Sequence, residues 1–210
     1  MDHGYDTVLS TLFSDKTDAA AIKLPNFGLS EQHMKDLLER DYGIKGGCIP
    51  EKGVNSLTRV LYVFKNHLDI EFCPLLPDLT AILLSVMPES CAFATIREML
   101  KDHSYFFPIS RSQQKAWCKT FSYLMKKLYP STTKALIKNG VLTQANGLDP
   151  IFQRFFIPIL KKDHVLRIMD IYFIEGFKVR IYGIKKLKLV HIKRLKREIE
   201  NILLKINYFN

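Results

Sequence analysis

Between residues 50 and 70, apolar side chains recur at three- and four-residue steps: Val54, Leu57, Leu61, Phe64 and Leu68. That spacing puts them on one face of a helix. The next stretch, "DIEFCPLLPDLTAILL" (69–84), carries Leu79, Ile82, Leu83 and then Val86 behind two prolines. Pro77 suits the first turn of a helix, where its missing N–H would have no partner in any case. Pro88 opens a further helix in the same way, with Glu89 in the acid-favouring first turn, running to about Lys101.

The first 45 residues are weakly patterned, with short helices expected over 6–13 and, starting from Ser30, over 31–40. "GIKGG" (43–47) breaks the chain. Farther on, "SRSQ" (110–113) reads as a capping box of Ser110 with Gln113. The long helix behind it is lined by Trp117, Phe121, Leu124 and Leu128 and ended by Pro130. Ser131 is expected to cap a short helix that stops at Asn139-Gly140. Asp149-Pro150 starts "IFQRFFIPIL". Asp163 is expected to cap "HVLRIMDIYFIE", and Gly176 to end it. A last helix runs from about 177 toward 207 on a stripe of Ile184, Val190 or Ile192, Leu195, Ile199, Ile202 and Ile206. With no alternating strand pattern and no internal repeat, the expected class is all-α.

Composition narrows the field. Of 210 residues, 47% are hydrophobic and 25% charged, which is globular rather than disordered. No apolar run is long enough to span a bilayer. "MDHGYDTVLSTLF" lacks the basic-then-apolar pattern of a signal peptide, which points to a cytoplasmic protein. Cys48, Cys73, Cys91 and Cys118 have no zinc-like spacing and read as reduced core thiols. Of the net charge of +10, residues 178–205 supply +8, with ten Lys/Arg against Glu198 and Glu200. The expected seat of any anionic partner is therefore that segment.

Chemistry is sparse. The chain has no G-x-x-x-x-G-K-[ST], H-E-x-x-H or G-x-S-x-G and no dinucleotide fingerprint. His164 and His191 read as surface residues, and Cys91, beside Ala92 and Phe93, as core. Asp170 and Glu175 are five apart and need not share a helix face. No metal site or cofactor is implied.

Two stretches carry a family resemblance. "FQRFFIPILKKDHVLRIMDIYFIEGFKVRIYGI" (152–184) resembles the closing signature of the TBC domain, the helical domain of Rab GTPase-activating proteins. Arg167, Ile168, Asp170, Glu175, Gly176, Lys178 and Val179 match it, with Met169 in place of the usual tryptophan. "CIPEKGVNSLTRVLYVFKNHL" followed by "FCPLLP" stands where TBC domains carry a helix, then G-Y-C-Q-G, then an apolar helix. F-C-P is also the reading of the divergent Skywalker-like branch. The resemblance covers roughly 47–184. It implies a TBC-like multi-helix array there, a divergent segment over 1–46, and a basic amphipathic helix over 185–210 packing on the core.

An active TBC domain supplies an arginine and a glutamine in trans to a GTPase. The arginine neutralises charge developing on the phosphates, and the glutamine orients the attacking water; an arginine finger alone accounts for roughly 10³–10⁵ in rate. The resemblance puts Pro74 in the glutamine position of Y-x-Q. The arginine position of I-x-x-D-x-x-R falls best on Ile44 of "LERDYGI", with Leu38 and Asp41 in place, while Arg40 and Arg59 lie nearby. It thus implies a domain without the usual catalytic pair. Skywalker-like domains also bind phosphoinositide headgroups, partly through K-V-x-x-R. Lys178 and Val179 match that motif, Tyr182 stands at its arginine, and Arg180 lies two residues early. The headgroup residues implied are Lys178, Arg180, Lys185 and Lys186.

Such a chain is expected to bind a Rab- or Arf-family small GTPase, an anionic phosphoinositide membrane, or both, peripherally on vesicle or endosomal membranes. The alternatives are an active GTPase-activating protein with substitute residues and a structural helical domain. Nucleic acid is the least favoured partner, because aromatics for stacking are sparse in the basic segment and no recognition motif accompanies it. The family's opening R-x-x-x-W-like helix and following TLDc domain are not evident in the 210 residues, which implies either a truncated chain or a diverged pocket.

Overall fold

The computed structural model describes residues 4–7, 23–39, 49–138, 154 and 162–176. Among them every regular element is helical, in agreement with the all-α reading. After a helical turn at 4–7 come α1 (Glu31–Glu39), α2 (Glu51–Asn66), α3 (Leu76–Leu84), α4 (Glu89–Lys101), the single turn α5 (His103–Phe106), α6 (Arg111–Leu128), α7 (Pro130–Lys138) and α8 (Lys162–Glu175). The chain divides into two compact units, 1–113 and 114–210.

In the first unit, α3 is the central element. It packs mainly on α2 and α4 and is also touched by α1. Its residues 76–83 are all buried, as a helix covered on every side requires. The stripe read on α2 is wider than its spacing alone indicates: Val60 and Val63 join Leu57, Leu61 and Phe64 in full burial, while Val54 and Leu68 stay half-buried. On α4, Ala92, Phe93, Ile96 and Met99 face inward. Tyr5, Phe93 and Phe64 form a continuous aromatic stack, with centroid separations of 4.5 and 5.1 Å. Each fully buried Leu or Phe contributes roughly 1.5–3 kcal/mol relative to exposure, so this layer dominates the unit's stability.

Several local expectations are corrected. Pro88 is the extended N-cap of α4 (φ −61°, ψ 157°) rather than its first helical residue. Pro130 itself opens α7, so Ser131 lies inside that helix instead of capping it. Asp163 sits in the first turn of α8, which begins at Lys162. Gly176 does end α8, in the left-handed region (φ +54°) that favours glycine. The capping box forms with a shift: the Gln113 N–H donates to Ser110 Oγ (3.2 Å), but Gln113 Oε1 accepts from the N–H of Ile109 (3.0 Å). Cys91 is exposed, one residue of helical rotation away from the buried Ala92; Cys73 is buried and Cys118 half-buried.

In the second unit, Phe121 and Met125 are the buried residues of α6. The buried Thr133 of α7 donates its hydroxyl to the Met125 carbonyl (2.7 Å), which fixes the joint between the two helices. Val165, Met169 and Tyr172 form the buried face of α8, with Met169 filling a core position. His164 is exposed, as are Asp170 and Arg167. No described helix is long and apolar enough to cross a membrane. Apart from the buried Arg154, the helices expected over 150–160 and 177–207 lie outside the described residues.

Candidate functional site at the entrance of α3

The two prolines ahead of α3 do different jobs. The Leu76 N–H donates to the Cys73 carbonyl (2.9 Å), closing a turn in which Pro74 holds the second position and Leu75 the third (φ −74°, ψ −24°). Proline's fixed φ favours that second position. Pro77 occupies the first turn of α3, where no N–H is needed. Pro74 is buried, and its side chain offers neither donor nor acceptor.

A second turn braces this entrance. The Leu29 N–H donates to the Asn26 carbonyl (2.9 Å), and the turn carries two positive φ angles, Phe27 at 48° and Gly28 at 92°. The Phe27 carbonyl accepts the N–H of Cys73 (3.1 Å). A Cβ on Gly28 would come within 2.7 Å of the Phe72 ring, so glycine is required both for conformation and for close approach. The Arg111 guanidinium lies 5.5 Å from the centroid of the same ring, a cation–π contact. The entrance is thus an apolar, tightly braced bend.

Arg59, one of the arginines near the finger register, is engaged elsewhere. Its Nε donates to Glu89 Oε1 (2.9 Å) and its Nη2 to Glu89 Oε2 (2.6 Å), a bidentate pair, with a further bond to Ser56 Oγ (3.1 Å). The Tyr5 hydroxyl donates to Glu89 Oε1 at 2.6 Å. Burial pushes the Glu89 carboxyl up, but hydrogen bonds from Arg59, Tyr5 and Ser56 and the Arg59 charge outweigh it, and the net shift is downward. Burial first, then the Glu89 carboxylate, pushes the Tyr5 phenol far above its ordinary value. Hydrogen bonding to Glu89 raises Arg59 despite partial burial. This cluster ties the N-terminal turn, α2 and α4 together. No described group of His, Cys, Asp and Glu is arranged to hold a metal ion.

Of the residues singled out in the sequence, Pro74 is placed as described. Ile44, Lys178, Arg180, Lys185 and Lys186, with Arg40 and Asp41, lie outside the described residues. Charge reading by segment missed a second basic region. Residues 103–148 contain seven Lys/Arg and no Asp or Glu. Averaging hid it, because residues 1–102 carry a net −5. The signal was available as a run without acids, bounded by Asp102 and Asp149.

The helical array is a known arrangement. The sequence profile of the Rab-GTPase-TBC domain matches residues 49–199, and the chain belongs to that family. It is 24% identical over 172 residues to TBC1 domain family member 24 of Xenopus tropicalis, a match that takes in 78% of this chain and 28% of that relative's length. Its fold is similar to the crystal structure of the TBC domain of Skywalker/TBC1D24 from Drosophila melanogaster in complex with inositol(1,4,5)triphosphate. That match has a TM-score of 0.69 and 24% identity, covering 98% of this chain and 73% of that one.

Proposed function

We propose that this chain is a Rab-GTPase-TBC-family domain that binds without catalysing: it engages a Rab- or Arf-type small GTPase and an anionic phosphoinositide membrane in vesicle traffic, and lacks the family's arginine–glutamine pair. The observation that carries the reading is Pro74. A water-orienting residue needs a polar side chain presented to the partner, and Pro74 is a buried, non-polar residue that fixes a turn. Arg59 gives no substitute, since both carboxylate oxygens of Glu89 hold it. Ile44 in the arginine register has no charge to offer a phosphate.

The membrane part is supported by the basic stretch 178–205, with Lys178, Arg180, Lys185 and Lys186 assigned to the headgroup, and by the inositol(1,4,5)triphosphate bound in the Drosophila TBC domain. Clustered Lys and Arg bind phosphate through charge-assisted hydrogen bonds. Sedimentation with phosphatidylinositol bisphosphate vesicles tests it: replacing those four residues by alanine is expected to abolish most binding, and unchanged binding would discard the assignment. For the GTPase part, the chain is expected to retain a GTP-loaded Rab from a panel of purified Rab proteins without accelerating hydrolysis. Capture of none of them removes that half of the proposal.

A further inference from the structure

The acid-free region 103–148 builds a surface that the headgroup assignment does not use. On α6, Lys115, Lys119, Lys126 and Lys127 are exposed, and so is Tyr123, at 64% of its full accessibility. At 100° per residue these five side chains fall within an arc of about 120°, opposite the buried Phe121 and Met125. Lys134 and Lys138 are exposed on α7, which the Thr133–Met125 hydrogen bond joins to α6. Among the described residues no carboxylate pairs with any of these six lysines.

Four unpaired lysines on one arc of α6 with no acid among them are an uncommon helix face, since charges of both signs usually alternate on a surface. We infer that the lysine face of α6 is a docking surface for an anionic lipid leaflet, made of residues other than 178–186 and independent of the headgroup reading. Lysines reach the headgroup phosphates while their stems lie along the apolar boundary. A tyrosine among them belongs at the headgroup level, where one end of the ring is dry and the other wet. Each basic residue near such a leaflet strengthens binding by about fivefold at moderate salt. A nucleic-acid groove would instead present several stacking aromatics, and the lysine arc of α6 presents one, Tyr123.

The test uses the whole chain and phosphatidylcholine vesicles with and without phosphatidylserine, a lipid that supplies charge without an inositol headgroup. Replacing Lys115, Lys119, Lys126 and Lys127 by glutamate is expected to lower partitioning onto phosphatidylserine vesicles by at least about tenfold with residues 178–205 intact. Wild-type binding should itself fall with added salt. Tyr123→Trp in a Trp117→Phe background places the only tryptophan on this face, and its emission should be quenched by brominated lipid on binding. Unchanged partitioning of the glutamate variant, or an unquenched Trp reporter on bound protein, overturns the inference. So does loss of duplex DNA binding in the glutamate variant with vesicle binding preserved. Failure of the alanine variant at 178, 180, 185 and 186 to lose phosphatidylinositol bisphosphate binding would discard only the headgroup assignment.

Discussion

The two units of the chain divide the physical work unequally. Residues 1–113 carry a net charge of −4, and residues 114–210 carry +14. The first unit holds the aromatic stack Tyr5–Phe93–Phe64, the fully buried α3 and the Arg59–Glu89 pair. In the second, the described part of α6 and α7 exposes lysines over a narrow buried seam of Phe121 and Met125. Among the described residues, the paired charge and most of the covered apolar surface lie in the first unit. Like charges left facing water weaken a fold slightly and steer partners of opposite charge.

Mutations separate the two roles by size of effect. The largest is Phe93→Ala, which empties the middle of the aromatic stack and is expected to cost about 3–5 kcal/mol in urea unfolding. Glu89→Gln comes next, at about 2 kcal/mol, because it leaves the partly buried Arg59 without its counter-charge. That variant also changes the pH profile. With the Glu89 carboxyl held below its ordinary value of 4.5, its stabilisation is complete above that value and disappears as pH falls through the lowered one; in Glu89→Gln this acid limb should flatten. Tyr5 acts at the other end: above its ordinary value of 10.0 the unfolded chain ionises while the folded chain does not, so stability should fall with rising pH. Gly28→Ala follows, at about 1–3 kcal/mol from the positive φ and the clash with Phe72. Smallest is the glutamate replacement of Lys115 and Lys119 on α6, expected to move unfolding by within about 0.5 kcal/mol per site. A large loss there would erase the contrast between the units.

Much of the first unit was readable as local pattern. The 3.6-residue period gave the buried face of α2, the prolines gave the entrance of α3, and Ser110 with Gln113 gave the start of α6. What escaped was non-local or hidden by averaging. The bond from Tyr5 to Glu89 spans 84 residues and leaves no periodic trace, so Glu89 read only as a first-turn acid. Cys91 was placed by its neighbours, yet one residue on a helix is a 100° rotation, enough to carry it from core to water. The lysines of α6 and α7 were cancelled in the sum by the acidic first hundred residues. Two of the residues that carried the family signature, Gly176 and Pro74, hold backbone turns. What Pro74 means for activity follows from the side chain it lacks.

Single-turnover hydrolysis of GTP by a panel of Rab proteins, with this chain in excess, tests the central claim most directly. The account predicts a rate indistinguishable from that of each GTPase alone. An acceleration of about a hundredfold or more on any Rab would contradict it, since only a supplied transition-state charge and an oriented water give effects of that order.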